Sequence, residues 1–184
     1  MPIFAKLAYA DGVDLPSMLF LRFALAGGAM ALLMQLRGIA WPRGRQLLLL
    51  AAMGAIGYVG ESFCYFAALQ YASAGLTALL LYLYPAIVTV LSALLTRRRL
   101  SPLRLLAVAA ALLGTGLAVG GSLAGSALGI LLGVGAALIY SVYILVGERV
   151  TPLSGAIPSA TVIMLAAALV FGLVVLWRGP AWPV

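Results

Sequence analysis

Apolar residues along this chain fall into six long runs, and every second gap between them is rich in arginine. The runs cover residues 16–36, 47–69, 74–95, 103–121, 128–147 and 158–177. Each is about 19–23 residues long, which at ~1.5 Å per residue matches a hydrocarbon core of roughly 30 Å. A lone segment in lipid satisfies its own backbone groups only as a helix, so the pattern predicts six transmembrane helices. The second and third runs nearly merge. One helix across both would be about 70 Å long, more than twice the core, so a break is predicted at Gln70-Tyr71-Ala72-Ser73. Residues 1–9 are apolar but too short to cross, and they lack the basic start and cleavage site of a signal peptide. They read as the tail of one more helix.

The gaps orient the helices. Arg37, Arg43 and Arg45 fill the first, Arg97, Arg98 and Arg99 the third (with Arg104 just beyond), and Arg149 lies in the fifth. The second and fourth gaps carry no charge. Eight basic residues thus fall on one side, against Lys6 and Arg178 on the other. The positive-inside rule places the eight in the cytoplasm as topological anchors. The arginine triplet also admits readings as a nuclear signal or a lipid-binding patch.

Arg-Gly-x-Ala-Trp-Pro occurs at 37–42 and again at 178–183, and Pro-Ser opens both helices concerned, at Pro16-Ser17 and Pro158-Ser159. The offset is 141–142 residues. An odd number of helices separates the copies, so they would run inverted through the membrane, as the halves of secondary transporters do. Chance is the plainer explanation in a chain so dominated by Ala, Leu and Gly. The repeat divides the chain into 1–125, a first five-helix unit lacking most of its first helix, and 126–184, the opening two helices of a second unit. The missing sequence would be roughly 14 residues before Met1 and about 80 after Val184. The chain therefore reads as all-α integral membrane, about six helices and the tail of another, cut from a ten-helix inverted-repeat parent. A shortened chain that forms a homo-oligomer is the alternative.

Composition supports lipid as the solvent. Of 184 residues, 65% are hydrophobic and 8% charged, and mean hydropathy is +1.20. A soluble domain carries about 25% charged residues. The net charge of +7 needs no nucleic acid, because its arginines cluster at span ends.

Several segments are similar to a known family. They are Phe4-Ala5-Lys6-Leu7, then Pro16 with Leu21-Arg22-Phe23, and then Tyr65-Phe66-Ala67-Ala68-Leu69-Gln70-Tyr71-Ala72-Ser73-Ala74-Gly75. Leu83-Tyr84-Pro85-Ala86, Leu100-Ser101, Gly114-x-Gly116 and Tyr140-Ser141-Val142-Tyr143 follow in order. Together they resemble the drug/metabolite transporter superfamily in its EamA-domain branch. The resemblance implies ten helices, two inverted five-helix units and small-molecule transport. One departure is Arg98, where the family often has Glu.

Only Arg22 and Glu61 are charges well inside spans. Such charges are costly in lipid and face a cavity or a partner. Counting residues places both in the outer half, within about 5 Å of the same depth. A direct pair would either hold two helices together or line the substrate path, and proton coupling through Glu61 requires that the pair open. Gly54, Tyr58, Glu61 and Tyr65 are spaced to share one helix face, suited to a pocket wall or to plain packing. Gly57, Gly60 and Cys64 form an adjacent stripe of small residues. Pro85, beside Tyr82 and Tyr84, would bend the third helix at mid-span. Tyr140, Ser141 and Tyr143 are the polar groups mid-span in the fifth run. The pocket candidates are thus Arg22, Tyr58, Glu61, Tyr65, Tyr82, Pro85, Tyr140 and Tyr143. Gly129-x-x-x-Gly133 and Gly116-x-x-x-Gly120 suit close helix packing.

The chain has no His, one Cys and no Asp within a span. His-based triads, zinc motifs and internal disulfides are therefore absent from it, and no enzyme, metal or cofactor is expected. The reading is a secondary-active exporter of small organic metabolites or drugs; a non-transporting scaffold or subunit, or an inactive fragment, is the alternative. Arginine-rich, lysine-poor usage suggests a GC-rich bacterium and so its inner membrane. Reporter tags near Arg43 and Arg98 should stay shielded from external reagents, while a tag near Gly125 is labelled. Tags at Arg43 and Arg98 found on opposite faces overturn the threading.

Overall fold

The computed structural model describes residues 12–97, 101–119 and 124–178. Helices form where the apolar runs lie: α1 (Leu15–Leu36), α2 (Gly44–Tyr71), α3 (Ala74–Thr96), α4 (Pro102–Val119), α5 (Ala127–Val150) and α6 (Ala156–Arg178). Among the described residues α1, α2, α3, α5 and α6 are long and apolar enough to cross a membrane. The 18-residue α4 forms where the fourth crossing is expected. The described residues contain no strand. The protein is an all-α membrane protein. Its helices expose Leu25, Leu32, Leu117, Leu131, Leu173 and Trp177, which only a lipid solvent tolerates in such number.

Local chemistry sets the boundaries. Gly38 ends α1 with φ +63. Its N–H donates to Gln35 at 3.2 Å and the Ile39 N–H to Met34 at 2.9 Å, a left-handed cap that glycine adopts without strain. The repeated Arg-Gly is thus a helix stop; its second glycine, at 179, lies outside the described residues. The predicted break between the second and third runs falls at Ala72-Ser73, where the Ser73 hydroxyl caps α3 by accepting from the Leu76 N–H at 3.2 Å. Arg97 closes α3 in a left-handed conformation, φ 51.

Two helices depart from straight α geometry. In α2, Met53–Tyr58 is π-helical between two α-helical parts, a feature that the hydrophobic pattern could not show. In α3, Pro85 has no N–H to give to Leu81, and the helix breaks at Tyr82-Leu83 into Ala74–Leu81 and Tyr84–Thr96. The sequence reading of a mid-span bend at Pro85 is met by this two-residue interruption.

The helices group into two compact units, whose boundaries fall inside α2 and α5. In the unit formed by 12–62 and 146–178, α1 packs along α6. A Cβ on Gly27 would stand 2.9 Å from Leu165, and one on Gly172 would stand 2.9 Å from Phe20. Rising numbers on α1 therefore meet falling numbers on α6, so the pair is antiparallel. Gly54 presses onto the Ile163 carbonyl and the Ala166 methyl. Helices in lipid gain little from apolar burial between them and depend on such close approach. Gly54 is therefore a packing residue.

In the unit spanning Phe63–Leu145, the α2–α3 turn pairs with the segment before α5. Ser73 N–H donates to Ala124 at 2.8 Å, and Ser126 N–H donates to Tyr71 at 2.9 Å, around an antiparallel bridge between Ala72 and Gly125. Gly125, Gly129 and Gly133, four apart, admit Leu76, the Tyr71 backbone and Leu80 respectively. The Gly129-x-x-x-Gly133 spacing thus marks a real contact. Gly120 lies outside the described residues.

Gly54→Ala should destabilise the protein by about 1–3 kcal/mol, because the added methyl meets backbone on α6. Gly28→Ala, with nothing within 4 Å of its Cβ, should be neutral or stabilising by up to ~1 kcal/mol. Thermal unfolding in detergent reads both; equal effects overturn the packing assignment.

Candidate functional site

Two clusters of polar and aromatic side chains stand inside the spans, one in each unit. The first is built on α1 and α2. Phe23 is buried on α1, its ring stacked on Phe171 of α6 at 5.8 Å and tilted against Tyr58 at 5.3 Å. Tyr58 ends the π turn. Glu61 follows one α-helical turn later, on the same face. Glu61 is only 8% exposed, and the Ser62 hydroxyl donates to its Oε2 at 3.1 Å. Arg22 lies within electrostatic reach of both the Tyr58 hydroxyl and the Glu61 carboxylate, with its guanidinium 5.4 Å from the Phe23 ring centre. The structure therefore brings Arg22, Tyr58 and Glu61 together.

The second cluster is aromatic. The Tyr84 ring meets Tyr140 edge-on at 4.9 Å, and Tyr140 stacks on Tyr143 at 6.0 Å, one turn apart on α5. Between the two tyrosines of α5, the fully buried Ser141 donates to Ala137 at 2.6 Å and lies 3.4 Å from the Tyr84 carbonyl. That carbonyl sits at the α3 break, so α5 meets α3 where its helical ladder is interrupted. Pro85 adjoins it, and the Pro85 carbonyl accepts from the Thr89 hydroxyl at 2.7 Å. Tyr65 is buried edge-on to Phe66 at 5.3 Å, and Tyr82 is 48% exposed at the break.

Sequence reading passed over Tyr84, Ser62 and Phe23 as site residues. Tyr82 and Tyr84, two apart, would face different sides of a straight helix, and only the break decides which one meets α5. Ser62 was detectable as the residue beside an intramembrane carboxylate. Phe23 carried no signal beyond an ordinary apolar position.

Among the anchors, Arg37, Arg43, Arg45, Arg97 and Arg149 are exposed at helix ends. Arg98 and Arg99 lie outside the described residues, as does the side chain of Arg104. Among the described residues no group of His, Cys, Asp and Glu is arranged to hold a metal.

Among the described residues, five helices long and apolar enough to span define an all-α multi-pass membrane protein. The family model described as the EamA-like transporter family matches residues 1–120, well over half of the chain, and the chain belongs to that family. A solved structure described only as "Crystal structure of protein" is similar to it, with a TM-score of 0.75 and 25% identity over 97% of this chain. The chain spans 65% of the length of that structure. Among curated proteins nothing matches.

Tyr140→Ala removes the ring that touches both Tyr84 and Tyr143 and should cost about 3 kcal/mol or more in stability. Tyr140→Phe keeps the rings and should cost clearly less than Tyr140→Ala. Thermal unfolding of both variants checks this; equal losses would mean the hydroxyl, and not the ring contact, holds the cluster.

Proposed function

We propose that this chain carries much of a secondary-active transporter that moves small organic metabolites or drugs out of the cytoplasm by alternating access. The observation that carries the reading is Glu61, a carboxyl group 8% exposed in the middle of an apolar helix, with Ser62, Tyr58 and Arg22 around it. Keeping acid and base within lipid is costly and is characteristic of substrate or proton paths. Tyr58, Arg22 and Glu61 are the candidates for such a path in their own unit. Tyr65, Tyr82, Tyr140, Tyr143 and the break at Pro85 are candidates in the other unit taken by itself, because interrupted helices near mid-membrane are where transporters form sites.

Proton coupling runs through Glu61. A carboxylate held by Arg22 releases it on protonation, which frees the guanidinium for an anionic group of the substrate. The antiparallel packing of α1 and α6, the two helices that share the Pro-Ser and Arg-Gly-x-Ala-Trp-Pro elements, supports an inverted repeat within a ten-helix bundle. The setting is a bacterial inner membrane.

The test is flux in liposomes containing the full-length protein and a trapped pH dye, challenged with a panel of small metabolites under a proton gradient. Wild type should show solute-dependent proton movement, and Glu61→Gln should reduce it on the order of tenfold or more, equivalent to about 1.4 kcal/mol. Unchanged proton movement in Glu61→Gln removes Glu61 from coupling. No flux with any solute favours a non-transporting scaffold.

A further inference from the structure

The π turn at Met53–Tyr58 holds one residue more than α geometry needs, immediately before the charged cluster. Such a turn can move along a helix. If it passes from 53–58 to beyond Glu61, only the residues it crosses change register. They rotate by about 100° around the axis, while the helix on either side stays in place. Each position facing α1 is then taken by the residue one earlier in sequence.

The sequence suits that exchange. One step before Tyr58 and Glu61 stand Gly57 and Gly60. In the register observed, Tyr58 meets Phe23, and Glu61 lies in reach of Arg22. In the shifted register two glycines take those places. They bring no side chain that could clash with α1, and they leave a space the size of a tyrosine ring beside Phe23 and Arg22. The first part of α2 stays fixed throughout, because Leu50 and Met53 are buried and Gly44–Ala52 packs on α6.

We propose that the π turn of α2 is a movable register switch, which exchanges Tyr58 and Glu61 for Gly57 and Gly60 on the face toward α1 and so opens and closes the space beside Arg22. Its role in transport rests on the function proposed above, but the register change can be read without flux.

The experiment is thiol cross-linking with a short bis-thiosulfonate reagent on the full-length protein in membranes, in a Cys64→Ser background. Two pairs are compared, Phe23→Cys with Tyr58→Cys and Phe23→Cys with Gly57→Cys. Both should cross-link. Deleting Ala55 removes the extra residue, leaving a plain α-helix with its ends in place. The Tyr58 pair should then persist and the Gly57 pair fall to background. Should that deletion fail to accumulate, Gly60→Leu serves instead, since leucine blocks the shifted register and should give the same selective loss. A Gly57 pair that never links in the parent, or that links undiminished in both altered chains, overturns the switch. Flux that fails while the cross-links behave as expected counts against transport and leaves the switch standing.

Discussion

Hydrocarbon offers no hydrogen bonds, so every backbone N–H and C=O in a span must find its partner within the protein. That constraint produces the six helices, and it makes each departure from α geometry informative. At Tyr82-Leu83 the ladder is carried through by tighter bonds, Leu83 N–H to Leu80 at 3.2 Å and Ala86 N–H to Leu83 at 3.1 Å. At Ala72-Ser73 two bonds to the segment before α5 replace it. In the π turn the bonds lengthen their span by one residue and stay within the helix. Irregular backbone survives in lipid only where such substitutes exist.

Once helices are obligatory, their association depends on how closely they approach. Gly27, Gly54 and Gly172 let α1, α2 and α6 meet with side chains pressed onto backbone, and Gly125, Gly129 and Gly133 do the same for α5 in the other unit. Close packing of this kind is stiff. Two groups of polar side chains stand beside interruptions: Glu61 and Tyr58 at the π turn, and Tyr84, Tyr140 and Ser141 at the Pro85 break.

Much of this was legible in the residues. Run length identified each helix among the described residues, because the thickness of the bilayer acts on sequence directly. Pro85 announced an interruption, since proline acts through its own backbone chemistry; the Ser73 cap and the Gly38 stop came only from the structure. Arg22 and Glu61 stood out because charge inside a span is costly whatever surrounds it. Spacing left Gly54 open between pocket wall and packing, and only the structure shows it against Ile163 and Ala166.

The sequence by itself therefore determined the solvent, the order of the described helices and the groups that carry charge, all of which depend on a residue and its near neighbours along the chain. The tertiary structure alone decided that Arg22 reaches Tyr58 and Glu61, that Tyr84 rather than Tyr82 meets Tyr140, and that α2 contains a π turn. Those outcomes depend on which helix faces which and at what rotation. Rotation is set by glycines and side chains distant in sequence, and no pattern local to one span encodes it.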